Sequence, residues 1–575
     1  MCEEVNFKTI GHHNIGYKTI AINETKSANI FTRMISPLVR HKSNFLFVIT
    51  LLIIIFSFAP GYSPINAQQI KVQDNSNKTT ADGYHHPMPV LKDPRLKVEI
   101  VADGLTVPTG ILFLDKNNIL VLQRYTSSFD FGGITTVNLV TNGHIRSEPV
   151  LSVLSGLCDR KTPKPECSMF NERGLLGITS RKINPDNSSV AGNLEVYLYY
   201  TEITLTGEIL GNRVYKYLWD GEHLVNPSLI LDLPGGPGPD HNAGKILIGP
   251  DGYLYAVIGD KTVATKAFPV HEDPTLVRKK IKEEIGHRGQ VQNIQYGGPP
   301  DNTSAVFRVN PETGKPAHDN PFINVNGTIN PNLSTSDNIE KTDNNTQSRF
   351  YNDGSLDRYY AYGIRNSFGL AFDPVTGNLW DTENGEFLYD EINMIEPGFN
   401  SGWIKVMGPI DRVNATKADL RSYKPDQYAL LKLDNKSTAT EADLVNFPGS
   451  KYSDPEFSWK NAVGVTALGF LNSSKLGEKY RNNLFVGDYI YGNLYSFRLN
   501  NNRDGIDFTS AQRELIDKVA DNPDELAKVT LGTGFDVITD IKTGPDGYLY
   551  IVSYSEYSSL HPANVSRIYR IVPAS

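Results

Sequence analysis

The sequence predicts an all-β chain: a six-bladed β-propeller with long face insertions, behind an N-terminal signal or anchor segment. Three observations predict it. Gly-Pro-Asp-Gly-Tyr-Leu-Tyr occurs twice, at Gly249–Tyr255 and at Gly544–Tyr550. Looser copies begin at Asp115, Asn193, Asp373 and Asn482. The 575 residues are 39% apolar and 10% aromatic, which suits a ring that grows by adding blades and not by thickening one core. Pro-Asp-Gly makes a tight turn, since Pro presets φ and Gly accepts φ > 0. Tyr-Leu-Tyr then opens a strand of aromatic and apolar residues. One turn-plus-strand unit recurring at wide spacing is the pattern of a propeller, with about six units for about six blades.

The elements follow in chain order. Residues 1–67 form a leader with an export signal. Phe45–Ala59 is an almost unbroken apolar run, preceded by Arg33, Arg40 and Lys42 and followed by Ile65-Asn-Ala67. A basic flank, a short apolar stretch and a small-residue exit make a signal peptide, and the same run retained makes an N-terminal membrane anchor. Met34 opens a signal of ordinary length, so translation starting there is a second expectation. Residues 68–95 are polar and read as a tether. Residues 96–575 form the propeller, beginning near Leu96-Lys-Val-Glu-Ile-Val and ending at Ser566-Arg-Ile-Tyr-Arg-Ile-Val. First and last strands are expected to share one blade, which removes the open edge.

Polar insertions are expected near 262–350 and 410–455. The first contains the charged, helix-like Leu276-Val-Arg-Lys-Lys-Ile-Lys-Glu-Glu-Ile. Cys158 and Cys167 flank a polar loop with two prolines and are expected to form a local disulfide in an oxidising compartment. Sequons at Asn187, Asn302, Asn326, Asn414, Asn435, Asn472 and Asn564 permit glycosylation. Lys and Arg total 56 against 64 Asp and Glu, with no basic stripe, which argues against nucleic acid as a partner. The expected location is secreted or cell-surface.

Three stretches carry the candidate chemistry. His241 follows the nearly bulk-free loop Gly235-Gly-Pro-Gly-Pro, and the next strand pair can return Asp260 to it. A histidine oriented by a carboxylate is a competent base near neutral pH, whereas a loop histidine bonded to a neighbouring turn is the plainer alternative. Arg365 and Asn366 precede a strand at the inner end of a blade, where an Arg binds an anion or forms a structural salt bridge. Glu383-Asn-Gly-Glu and the residues to Trp403 offer carboxylates, carbonyls and turn glycines, either as oxygen ligands for Ca²⁺ or as an acidic capping loop.

Together these stretches resemble the glucose/sorbosone dehydrogenases. The matching pieces are Glu172-Arg-Gly-Leu-Leu-Gly-Ile, His241 to Asp260, Val306-Phe-Arg-Val-Asn-Pro-Glu-Thr-Gly with Asp319-Asn-Pro-Phe, Gly363-Ile-Arg-Asn with Gly369-Leu-Ala-Phe-Asp-Pro, Asp390-Glu-Ile-Asn, and the final Gly-Pro-Asp-Gly. The resemblance implies a quinoprotein with pyrroloquinoline quinone lying over the axis, Ca²⁺ beside it, a small sugar as substrate and an external electron acceptor. It implies that His241 is the base, Asp260 orients it, and Arg365, Asn366, Glu172 and Thr466 contact the cofactor. Arg365 would also stabilise charge on the reduced quinone, and Gly385 and Glu386 would offer carbonyls to Ca²⁺. The implied reaction is oxidation of an aldose at its anomeric hydroxyl to a lactone. The chain departs from the family where cations are expected: Ile490 stands for a Lys, and Val537 and Thr539 for two Arg. Losing those charge-assisted bonds to a trianion removes about 1.5–3 kcal/mol each. Lys245, Lys261, Lys542 or Arg278-Lys-Lys are the candidates to replace them. A secreted propeller that binds a glycan or protein without catalysis is the alternative.

Overall fold

The computed structural model describes residues 87–129, 132–156, 172–187, 189–236, 238–261, 289–294, 297–325, 355–386, 388–412, 440–555 and 566–574. The apolar run at 45–59, Cys158, Cys167, the charged stretch at 276–285 and most of both insertions lie outside these residues. Among the described residues no helix is long and apolar enough to cross a membrane. They are nearly all β, with one short α-helix at Pro523–Ala527.

The strands form five hydrogen-bonded sheets of five, nine, six, five and four strands. The nine-stranded sheet consists of a five-stranded and a four-stranded group joined by a single residue pair, Ser155 with Glu202. Six strands lie innermost: Pro108–Phe113, Leu175–Lys182, Ile246–Ile248, Ser367–Phe372, Val465–Phe470 and Val537–Thr543. Each packs against the next, and the last packs against the first, so the ring is closed. This is a β-propeller. Two strands far apart in sequence complete the last blade: Leu96–Leu105 pairs antiparallel with Ser566–Pro573, from Leu96 opposite Pro573 to Leu105 opposite Ser566. That pairing leaves the terminal blade without a gap at its seam.

The repeated heptapeptide has a physical explanation in both copies. Gly249 N–H donates to the Tyr253 carbonyl at 2.8 Å, and Gly544 N–H to that of Tyr548 at 2.9 Å. Asp251 accepts from the Tyr255 hydroxyl at 2.9 Å and from Arg308 Nε at 2.8 Å. Asp546 accepts from the Tyr550 hydroxyl at 2.9 Å and from Arg570 Nη1 at 2.9 Å. Tyr255 pairs across the ladder with Arg308, as Tyr550 does with Arg570. Each repeat therefore encodes a turn, an aspartate that locks it, and the arginine of the next strand. Gly252 and Gly547 take φ +82° and +81°, which the turn requires.

Two expectations are corrected. The tether does not extend to 95: Val90–Leu91 is already a strand on Thr530–Thr533, and the buried Asp93 carboxylate accepts from Arg95 and from the Tyr480 hydroxyl. Nor is 262–350 all insertion. Ala305–Val309 lies within it as a fully buried strand paired with Leu254–Ile258, its apolar Ala-Val-Phe hidden inside a polar neighbourhood.

Near the axis the blades approach too closely for side chains. A Cβ on Gly177 would lie 2.1 Å from the Gly244 carbonyl oxygen, and one on Gly469 would lie 2.4 Å from that of Ile541. Gly177→Ala should therefore lower stability by about 1–3 kcal/mol, read as a reduced midpoint in urea denaturation with an unchanged slope.

Candidate active site

A cavity of about 450 Å³ opens at one end of the axis, lined by residues from all six innermost strands or the loops that lead into them. A second, of about 330 Å³, occupies the other end. Lys245 lines both. Its Nζ donates to Asp540 Oδ1 at 3.0 Å and to the Thr539 carbonyl at 3.1 Å, so this ion pair stands between the two cavities. Burial lowers the Lys245 pKa, against the pull of Asp540.

His241 and Asp260 are brought together in the first cavity. His241 Nδ1 lies 2.5 Å from Asp260 Oδ1. The Asp260 side chain is 1% exposed, and its second oxygen accepts from Trp403 Nε1 at 2.7 Å. Its backbone N–H donates to the Arg365 carbonyl at 2.9 Å. With Nδ1 engaged, Nε2 is the ring nitrogen left to a ligand in the cavity. His241 sits at φ +57°, a conformation that costs a non-glycine residue of order 1 kcal/mol or more and persists only where its surroundings enforce it. The enforcement is visible. Lys261, 1% exposed, donates to the Asp240 carbonyl at 3.0 Å and to Asn242 Oδ1 at 2.6 Å, gripping the residues on either side of His241. Asn242 is held further by Asn212 at 3.0 Å, by the Pro239 carbonyl at 2.6 Å and by Glu172 at 3.2 Å. Burial pulls the Lys261 pKa down to about 7.

Arg365 and Asn366 lie beside the dyad. Arg365 Nη1 donates to the carbonyls of Asn384 at 2.9 Å and Gly385 at 3.2 Å, and its guanidinium lies 5.3 Å from the Trp403 ring centroid. Asn366 Nδ2 donates to both Glu172 oxygens, at 3.1 and 3.0 Å. Arg365 Nε, Asn366 Oδ1 and Asn384 Oδ1 are buried with no hydrogen-bond partner among the described residues. These three atoms are shut off from solvent, so they are not the groups that the cavity offers to a ligand. Thr466 also lines the cavity, with its hydroxyl at the Gly487 carbonyl at 3.1 Å. Gly385 and Glu386 line it too.

Behind Arg365 lies a buried acidic group. Asp381 and Glu383 share one face of their strand, opposite Asn393 and Glu391 of Leu388–Ile395. Glu383 accepts from the Arg365 backbone N–H at 2.6 Å and from the Ser401 hydroxyl at 2.6 Å. Burial raises Asp381 to about 7 and Glu391 to about 8, and it raises Glu383 with help from both neighbours. Sequence reading missed Trp403 and Glu383 as parts of the site, although both belong to the stretch singled out for its carboxylates. Nothing in their local pattern says that Trp403 reaches Asp260, 143 residues away.

The residues do not fit a tricarboxylate quinone and its Ca²⁺. Ile490, Val537 and Thr539 all line the cavity, so the missing cations are missing at the site itself. The cationic side chains that line it, Arg124, Lys245 and Arg365, are balanced by Glu172, Glu386 and Asp390, leaving no surplus for a trianion. Lys245 is committed to Asp540, and Lys542 lines the opposite cavity. Lys261 is turned beneath the His241 loop. The Gly385 carbonyl already receives the Arg365 guanidinium. Among the described residues no group of three or more His, Cys, Asp or Glu is arranged to hold a metal ion.

Fold and site define a class: a propeller with a histidine–aspartate pair in an axial pocket. The chain resembles the glucose/sorbosone dehydrogenase family, whose model matches residues 339–425. It is 23% identical over 476 residues to the aldose sugar dehydrogenase YliI of Escherichia coli, covering 82% of this chain and 94% of that one. It is 29% identical over 327 residues to quinoprotein glucose dehydrogenase B of Acinetobacter calcoaceticus, covering 55% and 54%. A solved oxidoreductase (glucose dehydrogenase) from Thermus thermophilus has the same fold, with TM-score 0.50 and 22% identity over 83% of this chain and all of that one.

Two outcomes follow from the geometry. Lys261→Met removes both grips on the His241 loop, so amide hydrogen exchange across Asp240–Asn242 should speed up several-fold, with Lys261→Arg restoring part of the protection. The second concerns stability. Asp381 and Glu391 have folded pKa values raised above the ordinary carboxyl range, so folding favours their protonated forms. Their contribution is fully present below about pH 4 and is lost as pH rises through about 7 to 8. Asp381→Asn with Glu391→Gln should flatten that fall in denaturation midpoints measured from pH 5 to 9.

Proposed function

We propose that this chain is an exported, six-bladed oxidoreductase of the sugar dehydrogenase type, acting on a hydroxyl of a neutral sugar. The observation that supports it best is the His241–Asp260 pair, fixed by Trp403 in a pocket lined also by Arg365, Asn366, Asn384 and Thr466, side chains of the polar kind that suits a polyhydroxy ligand. The six innermost strands and the single link within the nine-stranded sheet support six blades.

In this reading Asp260 holds His241 with Nδ1 toward the carboxylate, so Nε2 is the proton acceptor. His241 takes the proton of the sugar hydroxyl; oxidation of the carbon bearing it would further require a two-electron carrier, such as a quinone without carboxylates, to receive its hydride. Asp260 then faces the resulting imidazolium and stabilises it. Arg365 and Asn366, which line the pocket, are the residues that orient the remaining hydroxyls in this reading. At an anomeric carbon the product is a lactone. Because the charges that hold a tricarboxylate are absent, the acceptor in this proposal carries less negative charge than pyrroloquinoline quinone. The neutral balance of the pocket also favours a second reading, a propeller that binds a glycan without oxidising it.

One series decides between them. His241→Ala should lower turnover of an oxidised aldose by about 10²–10⁴ with little change in sugar affinity, as loss of a general base does. Asp260→Asn should reduce it less. Sugar binding by calorimetry without oxidation under any acceptor would leave the binding reading standing and overturn the enzyme. The quinone is tested separately by absorbance titration. Wild type should take up pyrroloquinoline quinone weakly, and Ile490→Lys with Val537→Arg and Thr539→Arg should tighten uptake.

A further inference from the structure

The cavity of about 330 Å³ at the far end of the axis has no part in the chemistry of His241. Its volume is that of a compact small-molecule site, for which about 300–1,000 Å³ is usual. The innermost strands run from one cavity into the other. Val537 and Thr539 line the first, and Asp540 to Thr543 the second. Thr466 lines the first, and Leu468 to Phe470 the second. The two ends differ in chemistry. Where the first cavity gathers hydrogen-bonding side chains, the walls of the second are largely apolar. Leu247, Ala371 and Phe372 line it and are only half-buried, while Pro374 and Asn472 line it and are exposed, which places them at its mouth.

Three charged side chains line this cavity: Lys245, Asp540 and Lys542. Asp540 does not neutralise both lysines. Its Oδ1 accepts from Lys245 Nζ at 3.0 Å, and its Oδ2 from the Ile111 N–H at 3.0 Å. Lys542 Nζ lies 3.9 Å from Oδ2, too far for a hydrogen bond, and this is its one ion pair among the described residues. A positive charge is left over, and it is the accessible one. The Lys542 side chain is 28% exposed, against 15% for Lys245 and 6% for Asp540. The two lysines also repel each other: burial lowers the Lys245 pKa, and Lys542 lowers it further against the pull of Asp540. An anion beside Lys542 relieves that repulsion. The strand fixes where Lys542 stands. It follows Asp540 by two residues on the same face of Val537–Thr543, about 6–7 Å further from the first cavity.

We propose that the second cavity binds a small organic monocarboxylate with a compact apolar body, of the size of a branched-chain or aromatic acid. The carboxylate pairs with Lys542, and the body lies against Leu247, Ala371 and Phe372. One surplus cation answers one negative charge, and a charge-assisted bond of this kind strengthens away from water. The walls select against a hydroxylated acid, whose hydroxyls would lose water without gaining partners. Thr543, the polar residue next to Lys542, is already engaged: its hydroxyl donates to the Phe470 carbonyl at 2.7 Å and accepts from the Asn472 N–H at 3.1 Å. The site is independent of the sugar reading of the first cavity.

Calorimetry on the full chain tests it, with isovalerate, benzoate and phenylacetate as ligands and with acetate, inorganic phosphate and benzyl alcohol as comparisons. At least one of the three apolar acids should bind at least tenfold tighter than every comparison. Lys542→Gln should weaken that acid at least tenfold, and Lys542→Arg should keep most of its affinity. Ala371→Met fills the cavity from an uncharged wall and should weaken binding as well. Thermal midpoints check that each variant is folded, and if Lys542→Gln is not, Ala371→Met decides alone. Failure of all three acids to bind overturns the proposal. So does equal binding of benzyl alcohol, which would make the cavity a void indifferent to charge. Equal binding of acetate or phosphate overturns it too, since the apolar walls would then select nothing. Full affinity in a folded Lys542→Gln or Ala371→Met protein places the acid elsewhere and has the same consequence.

Discussion

The pairing of Leu96–Leu105 with Ser566–Pro573 is the constraint on which the rest of the structure depends. A propeller blade buries its faces only against its neighbours, so an unclosed ring exposes two faces and two edges at once. Joining the two strands in one sheet completes the last blade, so that the innermost strands pack in a closed ring. The glycines at Gly177 and Gly469 show how close that packing is, since each meets a neighbouring backbone carbonyl where a side chain would begin. The cavities at the two ends of the axis are the space that remains.

The site takes its precision from that ring. His241 and Asp260 belong to one repeat unit, yet the bonds that fix them come from elsewhere. Trp403 reaches Asp260 from the far end of the Glu383–Trp403 stretch, and Glu172 holds both Asn242 and Asn366. Lys261 tightens the same loop from beneath. The strained φ of His241 persists because so many bonds converge on its neighbours. The arrangement holds one ring nitrogen on a buried carboxylate and leaves the other to the pocket, which is the geometry a base requires.

Charge sets this chain apart from the cofactor chemistry its relatives suggest. The pocket keeps a base, an arginine and hydrogen-bonding groups, but it has no excess of positive charge. Ile490 is more than half exposed at the rim, where it adds apolar surface instead of a cation, flanked by two tyrosines. The same substitution thus weakens the case for an anionic ligand and strengthens that for a neutral one. The Lys245–Asp540 pair does not restore the balance, because each satisfies the other.

The sequence by itself determined the repeat, because Pro-Asp-Gly and the following tyrosines are local chemistry: a turn residue, its aspartate lock and a strand. It also placed His241 next to Asp260, since a single hairpin returns the chain over 19 residues. It misjudged Ala305–Val309 and Val90–Leu91, where short strands are hidden in polar surroundings and only pairing with a distant partner declares them. Trp403 on Asp260, Lys261 beneath the loop and the engaged state of Lys245 were decided by tertiary structure alone. The physical reason is the same in each case. Local propensity reads neighbours along the chain, whereas an axial site is assembled from all blades at once, and burial and charge there depend on residues hundreds of positions apart.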